Sequence, residues 1–276
     1  MFVDVQGTRL YVEGEYHPDD SHRPPLLFLH GFTLSSQEWV PLFPQYAPDF
    51  QPLAIDIIGH GKSAAPEDLA YYDLESCTRQ IMGVLDHLGI HRAYWAGYSM
   101  GGRLLLHLAI SHPDRIRAMV LESTTPGIGD REERQIRADR DASLARFIER
   151  YTIDAFVERW TEHPIFRSQK HISLEKREYI KLIRLQNSSI GLSNSLRGMG
   201  RGTMPSLWED LPALTQPVLL LAGELDPDHV ALLNRMHSLL PQSTSRVVEK
   251  AGHNIHFERP DLFFDITRAF FNVHNA

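Results

Sequence analysis

The sequence contains a single cysteine, Cys77, and no long hydrophobic run. One thiol cannot form an intrachain disulfide, and a transmembrane helix requires about 18 consecutive apolar residues. The first residues, MFVDVQGTRLYVEGE, also lack the basic head and the apolar core of a secretory signal. These absences predict a cytoplasmic protein with no disulfide framework and no membrane attachment.

An excess of positive charge is also absent, because 28 Lys and Arg residues face 35 Asp and Glu residues and the formal net charge is −7. General nucleic-acid binding requires a basic face that neutralises phosphates, so this class of function is excluded. The charge is unevenly distributed, however, since residues 131–201 carry more basic than acidic side chains. A basic segment on an acidic body favours a small anionic partner.

Short, β-rich apolar runs alternate with helical patterns along the chain: PLLFLHGF, FQPLAIDIIGHG, HRAYWAGYS, IRAMVLES, QPVLLLAGELD and TSRVVEKAGH. Nearly continuous apolar strands separated by helices are typical of a parallel sheet covered on both faces. The capping signals of Asp73 and Gly89 predict a helix over 74–88, another helix begins after Ser99, and a last one runs from about Pro260 to Phe271. The pattern predicts an α/β fold with a mostly parallel central sheet.

Strand-like runs are missing between about Pro126 and Leu211, where two long stretches have the pattern of amphipathic helices. Strand patterns resume at Pro217. We therefore predict one α/β core domain formed by residues 1–125 and 212–276, with a helical cap, residues 126–211, inserted into it.

The run WAGYSMGG places Ser99 between Gly97 and Gly101, where a β-rich run meets a helical one. Gly-x-Ser-x-Gly is the pattern of a nucleophile elbow, a turn so sharp that the residues two before and two after the serine must lack a side chain. The pattern alone is weak because both residue types are common, but the strand-to-helix context strengthens it. The backbone amides of Met100, at a helix N-terminus, and Phe32, after the strand-ending HG pair, are candidate donors to a negatively charged oxygen.

A serine hydroxyl needs a base, and that base needs an orienting acid, which in elbow enzymes follow the serine in the order acid, then histidine. Asp226 follows the strand-like run LLLAG, with Asp228 as the competing acid. His253 lies in a loop after the next strand, with His256 as the competing base. No acidic or cysteine residues lie at ligand spacing from this histidine pair, so we predict no metal site.

The motifs HGF, DIIGHGKS, GYSMGG, GELD and AGHN occur in this order, with a helical insert after LES, and the whole chain resembles the α/β-hydrolase superfamily. The segments GYSMGGR, LESTTPGIGDREERQIRADRDASLARFIE and LRGMGRGTMPSLW are further similar to the 2-succinyl-6-hydroxy-2,4-cyclohexadiene-1-carboxylate (SHCHC) synthases of menaquinone (vitamin K2) biosynthesis. This resemblance implies a lyase that needs no cofactor and eliminates pyruvate from 2-succinyl-5-enolpyruvyl-6-hydroxy-3-cyclohexene-1-carboxylate.

The resemblance also implies roles for individual residues: Ser99, Asp226 and His253 as the catalytic triad, Phe32 and Met100 as the oxyanion hole, and Tyr98, Arg103, Arg137, Trp160 and Arg184 around the substrate. A substrate with several carboxylates requires guanidinium partners, in agreement with this set. Arg103 lies one helical turn beyond the serine. In the cap, Arg134 or Arg140 can occupy the place assigned to Arg137, because these arginines are spaced three apart.

Three other functions use the same residues differently. A serine hydrolase, such as an esterase, a thioesterase or a carbon–carbon bond hydrolase, would use Ser99 as a nucleophile and pass through an acyl-enzyme. A small-molecule receptor would keep the fold for binding only. A purely structural module would not need the strained turns at its strand ends, because these turns cost stability. The sequence does not predict an oligomeric state.

Overall fold

The computed structural model describes residues 1–275 and contains one eight-stranded sheet with the strand order β1-β2-β4-β3-β5-β6-β7-β8. Its strands are β1 (Phe2–Val5), β2 (Thr8–Glu13), β3 (Pro25–Leu29), β4 (Gln51–Asp56), β5 (Ala93–Tyr98), β6 (Ile116–Glu122), β7 (Val218–Gly223) and β8 (Ser243–Val248). All neighbouring pairs from β4 to β8 are parallel, whereas β2 pairs antiparallel with both β1 and β4. The predicted α/β fold with a mostly parallel sheet is confirmed.

The helices of the described residues cover both faces of the sheet. They are α1 (Phe43–Tyr46), α2 (Leu74–Leu88), α3 (Met100–Ser111), α4 (Arg131–Arg150), α5 (Ile153–Thr161), α6 (Leu174–Leu185), α7 (Ser189–Met199), α8 (Pro227–His237), α9 (Ile255–Glu258) and α10 (Pro260–Val273). Helix α2 begins and ends where its capping signals predict. The Asp73 side chain accepts a hydrogen bond from the Ser76 amide, and Gly89 ends the helix in the left-handed conformation, with φ of 70°.

The segment between β6 and β7 is helical throughout its regular elements. It contains α4 to α7 and the 3₁₀ helices Pro164–His171 and Leu211–Ala213, and no strand is assigned within it among the described residues. Its helices have their own apolar centre, in which Phe156, Leu192 and Ile148 are fully buried. The division into a core and a cap with boundaries at 126 and 211 stays a prediction.

Apolar side chains fill both faces of the sheet, and strands β3, β5 and β7 are buried along their whole length. This explains their nearly continuous apolar sequences, because a strand covered on both faces has no solvent side. None of the helices in residues 1–275 combines the length and the hydropathy needed to cross a membrane.

The carboxyl ends of the parallel strands meet at one edge of the sheet, where open α/β sheets form their ligand crevices. Strand β3 leads to Phe32, β5 to Ser99, β7 to Asp226 and β8 to His253. The fold therefore brings residues that are far apart in sequence to one edge.

Candidate active site

Ser99 occupies a sharp turn between β5 and α3 with a backbone φ of 48° and ψ of −104°. The two flanking glycines make this turn possible. A Cβ atom on Gly97 would lie 2.8 Å from the Cα atom of Gly102, and one on Gly101 would overlap the carbonyl group of Leu29. The turn holds the serine hydroxyl at the carboxyl edge of the sheet, as the elbow pattern predicts.

His253 connects this serine to Asp226. Its Nε2 atom lies 3.1 Å from Oγ of Ser99, and its Nδ1 atom lies 2.7 Å from Oδ2 of Asp226. Both distances are within hydrogen-bond range, so the three side chains have the geometry of a serine, histidine and acid triad. Asp228 and His256, the competing candidates, do not take part in these two contacts.

The surroundings of the triad favour the ionised form of the acid and the neutral form of the base. Burial opposes ionisation of Asp226, but its polar contacts with His229 and His253 outweigh burial and hold the pKa of the carboxyl well below its usual range. Burial lowers the pKa of His253, and the Asp226 carboxylate opposes this effect. A neutral imidazole beside a carboxylate can accept a proton from the serine hydroxyl.

A cavity of about 400 Å³ opens above Ser99. Eight of the residues predicted for the site line it: Phe32, Tyr98, Ser99, Met100, Arg103, Arg137, Trp160 and His253. The ring of Trp160 packs edge-on against the ring of Phe32, with centroids 5.5 Å apart, so a helix between β6 and β7 touches the loop after β3. The cavity therefore lies between the sheet edge and the helical insert.

Four arginines form a basic wall of this cavity: Arg103, Arg137, Arg140 and Arg201. Arg103 is buried and donates a hydrogen bond to the carbonyl of Met199 at 3.2 Å, while its Nε atom has no partner among the described residues. Burial and the neighbouring charges of Arg201 and Arg137 lower the pKa of Arg103 to about 9.

A single acidic side chain among the lining residues, Asp141, faces this basic wall. Its Oδ1 atom accepts a hydrogen bond from Nε of Arg137 at 2.9 Å. The Nε atom of Arg201 is buried without a partner among residues 1–275, and burial lowers the pKa of this guanidinium. The cavity wall thus carries more positive than negative charge, which suits a ligand with several carboxylates.

Two backbone amides are placed to face a charged oxygen beside Ser99. Met100 is the first residue of α3, where amides have no acceptor within the helix, and both Met100 and Phe32 line the cavity. The loop that carries Phe32 is anchored one residue earlier, where the amide of Gly31 donates to Oε1 of Glu38 at 3.1 Å. This arrangement suits an oxyanion hole.

The geometry of strand order, elbow and triad agrees with the comparison with known proteins. The family model described as the alpha/beta hydrolase fold matches residues 24–260. The chain belongs to the α/β-hydrolase family.

Within the α/β-hydrolases, the chain is similar to proteins that share one name. It is 43% identical over 242 residues to a provisionally named 2-succinyl-6-hydroxy-2,4-cyclohexadiene-1-carboxylate synthase of Bacillus subtilis, covering 88% of each chain. It is 29% identical to the synthase of that name from Serratia proteamaculans, over 93% of this chain and 94% of the relative. The solved structure of MenH from S. aureus superposes with a TM-score of 0.91 and 30% identity, covering 97% of this chain and 99% of that chain.

Arg184, one of the three arginines predicted around the substrate, does not lie on the cavity wall of this α/β-hydrolase. Its guanidinium carbon lies 4.5 Å from the ring centroid of Phe166, and Phe166 itself lines the cavity. Its NH1 group donates to Oγ1 of Thr161 at 3.1 Å, and burial lowers its pKa to about 10. Arg184 thus lies behind the wall, beneath an aromatic ring, and its substrate role stays a prediction.

Sequence reasoning assigned no role to three further lining residues: Arg201, His163 and His229. Arg201 follows α7 in the segment GMGRG. This glycine-rich segment has no helical pattern from which the direction of the Arg201 side chain could be predicted. His163 precedes a 3₁₀ helix, and burial lowers its pKa. His229 did offer a signal, because it lies three residues after Asp226 at the start of a helix, within reach of that carboxylate.

Of the two alternatives to Arg137, Arg140 lines the cavity beside it, whereas Arg134 does not. Helix α4 therefore turns two of its basic side chains towards the cavity. The assignment of Arg137 as the contact with substrate stays a prediction.

Asp226, His229 and His253 are residue types that also bind metal ions, and their polar atoms all lie within 4.8 Å of one another. Oδ2 of Asp226 lies 2.7 Å from Nδ1 of His253 and 2.8 Å from Nδ1 of His229, and both distances are typical of direct polar contacts. Ligands around a tetrahedral zinc ion, each about 2.0–2.1 Å from the metal, are separated by roughly 3.3 Å. The spacing therefore favours direct contacts of the Asp226 carboxylate with the two imidazoles over a shared zinc ion.

Proposed function

We propose that this α/β-hydrolase is a carbon–oxygen lyase, SHCHC synthase, which eliminates pyruvate from 2-succinyl-5-enolpyruvyl-6-hydroxy-3-cyclohexene-1-carboxylate. The observation that carries the proposal is the basic wall opposite a triad serine, in a chain that is 43% identical to a relative with that name. The substrate carries three carboxylates, on the ring, on the succinyl chain and on the enolpyruvyl group. Guanidinium groups bind carboxylates through paired hydrogen bonds, so the cavity is matched to this substrate class.

The reaction begins with proton transfer. His253, oriented by Asp226, takes the proton from Oγ of Ser99, and the serine oxygen takes the proton from the ring carbon beside the succinyl ketone. The electron pair of that C–H bond forms a new double bond within the ring, the existing double bond shifts by one position, and the bond from the ring to the enolpyruvyl oxygen breaks. Enolpyruvate leaves and becomes pyruvate, and the ring is left as a diene.

Negative charge develops on the ketone oxygen during this proton transfer. The amides of Phe32 and Met100 stabilise that oxygen as they would stabilise a tetrahedral oxyanion. The serine acts as a base and forms no covalent bond to substrate, so no acyl-enzyme is needed. Compared with a serine hydrolase, the triad has the same geometry, but the serine oxygen takes a proton instead of attacking a carbonyl carbon.

The proposal is tested by supplying the enolpyruvyl precursor and following pyruvate with a coupled dehydrogenase. We expect pyruvate release that depends on enzyme concentration. Absence of pyruvate, together with rapid cleavage of simple aryl esters, would contradict the lyase assignment.

Hydrolysis is the second candidate, because the 3.1 Å contact between Ser99 and His253 suits a nucleophilic serine equally well. A hydrolase shows a burst of product and an acyl adduct on Ser99, and intact-protein mass spectrometry detects that adduct. We expect no adduct with the enolpyruvyl precursor. A cytoplasmic location and activity without a cofactor stay predictions.

A further inference from the structure

Two imidazoles contact the same oxygen of Asp226. Nδ1 of His253 lies 2.7 Å from Oδ2, and Nδ1 of His229 lies 2.8 Å from the same atom. The His229 contact is short, but its direction is poor for a hydrogen bond. The two rings are 4.5 Å apart, with an angle of 59° between their planes. A serine, histidine and acid triad requires only one of these imidazoles.

The local sequence holds His229 in this position. Asp226 is the N-cap of α8, and its Oδ1 atom accepts the amide of His229 at 3.4 Å. The side chain of His229, 8% exposed, contacts the other oxygen of the same carboxylate. His229 also lines the cavity, so it lies beside both the triad and the substrate space.

We propose that His229 is a positioning residue that shares Oδ2 of Asp226 with His253, weakens that carboxylate as an acceptor, and so keeps His253 unprotonated in more acidic solution. The inference rests on the proposed function for its kinetic test only. His229 does not touch the proton in transfer. It acts through Asp226 on His253, the base that accepts this proton.

The other neighbouring side chains with the largest effect on the pKa of His253 act in the opposite direction. The ionisable groups that face His253 or its loop come from several elements and include Asp226, His229, Glu122, Tyr98, Glu224, Glu258 and, beside Asp226, Arg201. The carboxylates of Asp226 and Glu122 favour the protonated imidazole, whereas burial and the second imidazole disfavour it. Among the side chains with the largest effect on His253, His229 is thus the one that opposes Asp226.

The sign of the expected change follows from this balance. Without His229, the Oδ2 atom of Asp226 has one polar neighbour fewer and interacts more strongly with protonated His253. His253 then binds its proton at higher pH, and the neutral base is lost earlier as the solution is acidified. The acidic limb of the pH profile of kcat/KM therefore moves to higher pH.

The experiment compares two substitutions. His229→Phe keeps a ring of similar volume but removes the polar contact, whereas His229→Asn keeps a polar group near the position of Nδ1. We expect the acidic limb for pyruvate release to move up by about one pH unit in His229→Phe and by less than half of that in His229→Asn. Coincident limbs for wild type and His229→Phe, or equal shifts in both variants, would overturn the proposal.

A second measurement does not depend on the reaction. The ring protons of His253, followed by NMR without substrate, report its protonation in wild type and in both variants, and His253→Gln assigns the resonance. We expect the titration midpoint to rise in His229→Phe. Failure of the wild type to release pyruvate would overturn the proposed function alone, whereas an unmoved midpoint would overturn the role of His229.

Discussion

Ser99 shows how a single residue can carry both strain and chemistry. Its backbone conformation, with a positive φ angle, is costly for a residue with a side chain, and a Cβ atom on Gly97 or Gly101 would overlap the neighbouring backbone. This conformation is the reason the sequence motif could be interpreted, because few other turns require glycines at both positions. Asp226 and His253 were predictable for a related reason: each follows an apolar strand run at the edge where ligands bind.

Replacing Ser99 by alanine removes the oxygen that is proposed to take the substrate proton. We expect Ser99→Ala to lower kcat for pyruvate release by about 10²–10⁴-fold, the usual contribution of a positioned base. Substrate affinity, measured by calorimetry, should stay within a few-fold because the basic wall is untouched. Near-normal turnover in this variant would exclude Ser99 as the base.

The basic wall predicts an effect on KM. Arg201→Gln removes a guanidinium whose Nε atom is buried without a partner among residues 1–275. A hydrogen bond to a charged group contributes about 1.5–3 kcal/mol, so we expect KM for the enolpyruvyl substrate to rise by about 10-fold or more. Arg131→Gln, an exposed position at the start of α4 that is not on the wall, is the matched control. Equal KM values for the two variants would place Arg201 outside the substrate site.

The arginines of the site differ in how far their positions could be predicted from the sequence. Spacing places Arg103 one turn beyond Ser99, and the structure puts it on the cavity wall. The direction of Arg184 depends on how α6 packs against Phe166, which no local pattern encodes. Arg201 lies in a glycine-rich connection, where side-chain direction is set by tertiary contacts alone.

Whole elements were predictable where their pattern is strong. Helix α2 has both caps in its sequence, and the buried strands are continuous apolar runs. The hairpin of β1 and β2 was missed, although its residues alternate between exposed and buried and its turn at Gln6 and Gly7 has positive φ angles of 52° and 79°. Its strands are short and half polar, so an apolar-run criterion overlooks them.

A buried charged cluster joins three elements around the site. Nδ1 of His256 lies 2.7 Å from Oε2 of Glu122 at the end of β6, and its Nε2 lies 3.2 Å from Oε2 of Glu38. Glu38 in turn holds the amide of Gly31, next to Phe32. Burial alone would lower the pKa of His256, but the two carboxylates raise it to about 9. His256, the competing base in the sequence analysis, thus connects the loop that carries Phe32 to the loop that carries His253.

This cluster predicts a pH-dependent stability. A histidine whose pKa rises on folding stabilises the folded state fully below its ordinary pKa of about 6.5, and this stabilisation is lost as the pH rises to about 9. We expect the free energy of unfolding of the wild type, measured in urea, to fall across this window relative to His256→Gln. A constant difference between the two proteins from pH 6 to 9 would contradict a protonated His256.

The same cluster predicts a large loss when its centre is removed. His256→Ala leaves two buried carboxylates without their partner, and breaking a buried ion pair costs about 3–5 kcal/mol. We expect a loss of this size in the free energy of unfolding near pH 6.5. The exposed His237→Ala is the control, with an expected change of less than about 0.5 kcal/mol.

At the scale of the whole molecule, the topology places a basic surface over one edge of the sheet in a chain that is acidic as a whole. The chain has a net charge of −7, yet the helices between β6 and β7 place arginines over the carboxyl edge of the sheet. The alternation of strands and helices was enough to predict this architecture, since parallel strands bring their carboxyl ends together. The composition of the cavity wall was not predictable in full, because it depends on how the helical insert packs on the core.

The lyase assignment is tested most directly by the mass of the ring product after a single turnover with the enolpyruvyl precursor. Elimination predicts a ring product lighter than the substrate by one pyruvate, with no water added and with the absorbance of a conjugated diene. Hydrolysis of the same bond leaves a ring that has lost the pyruvyl group but gained the elements of water. The hydrated ring as the main product would contradict the account.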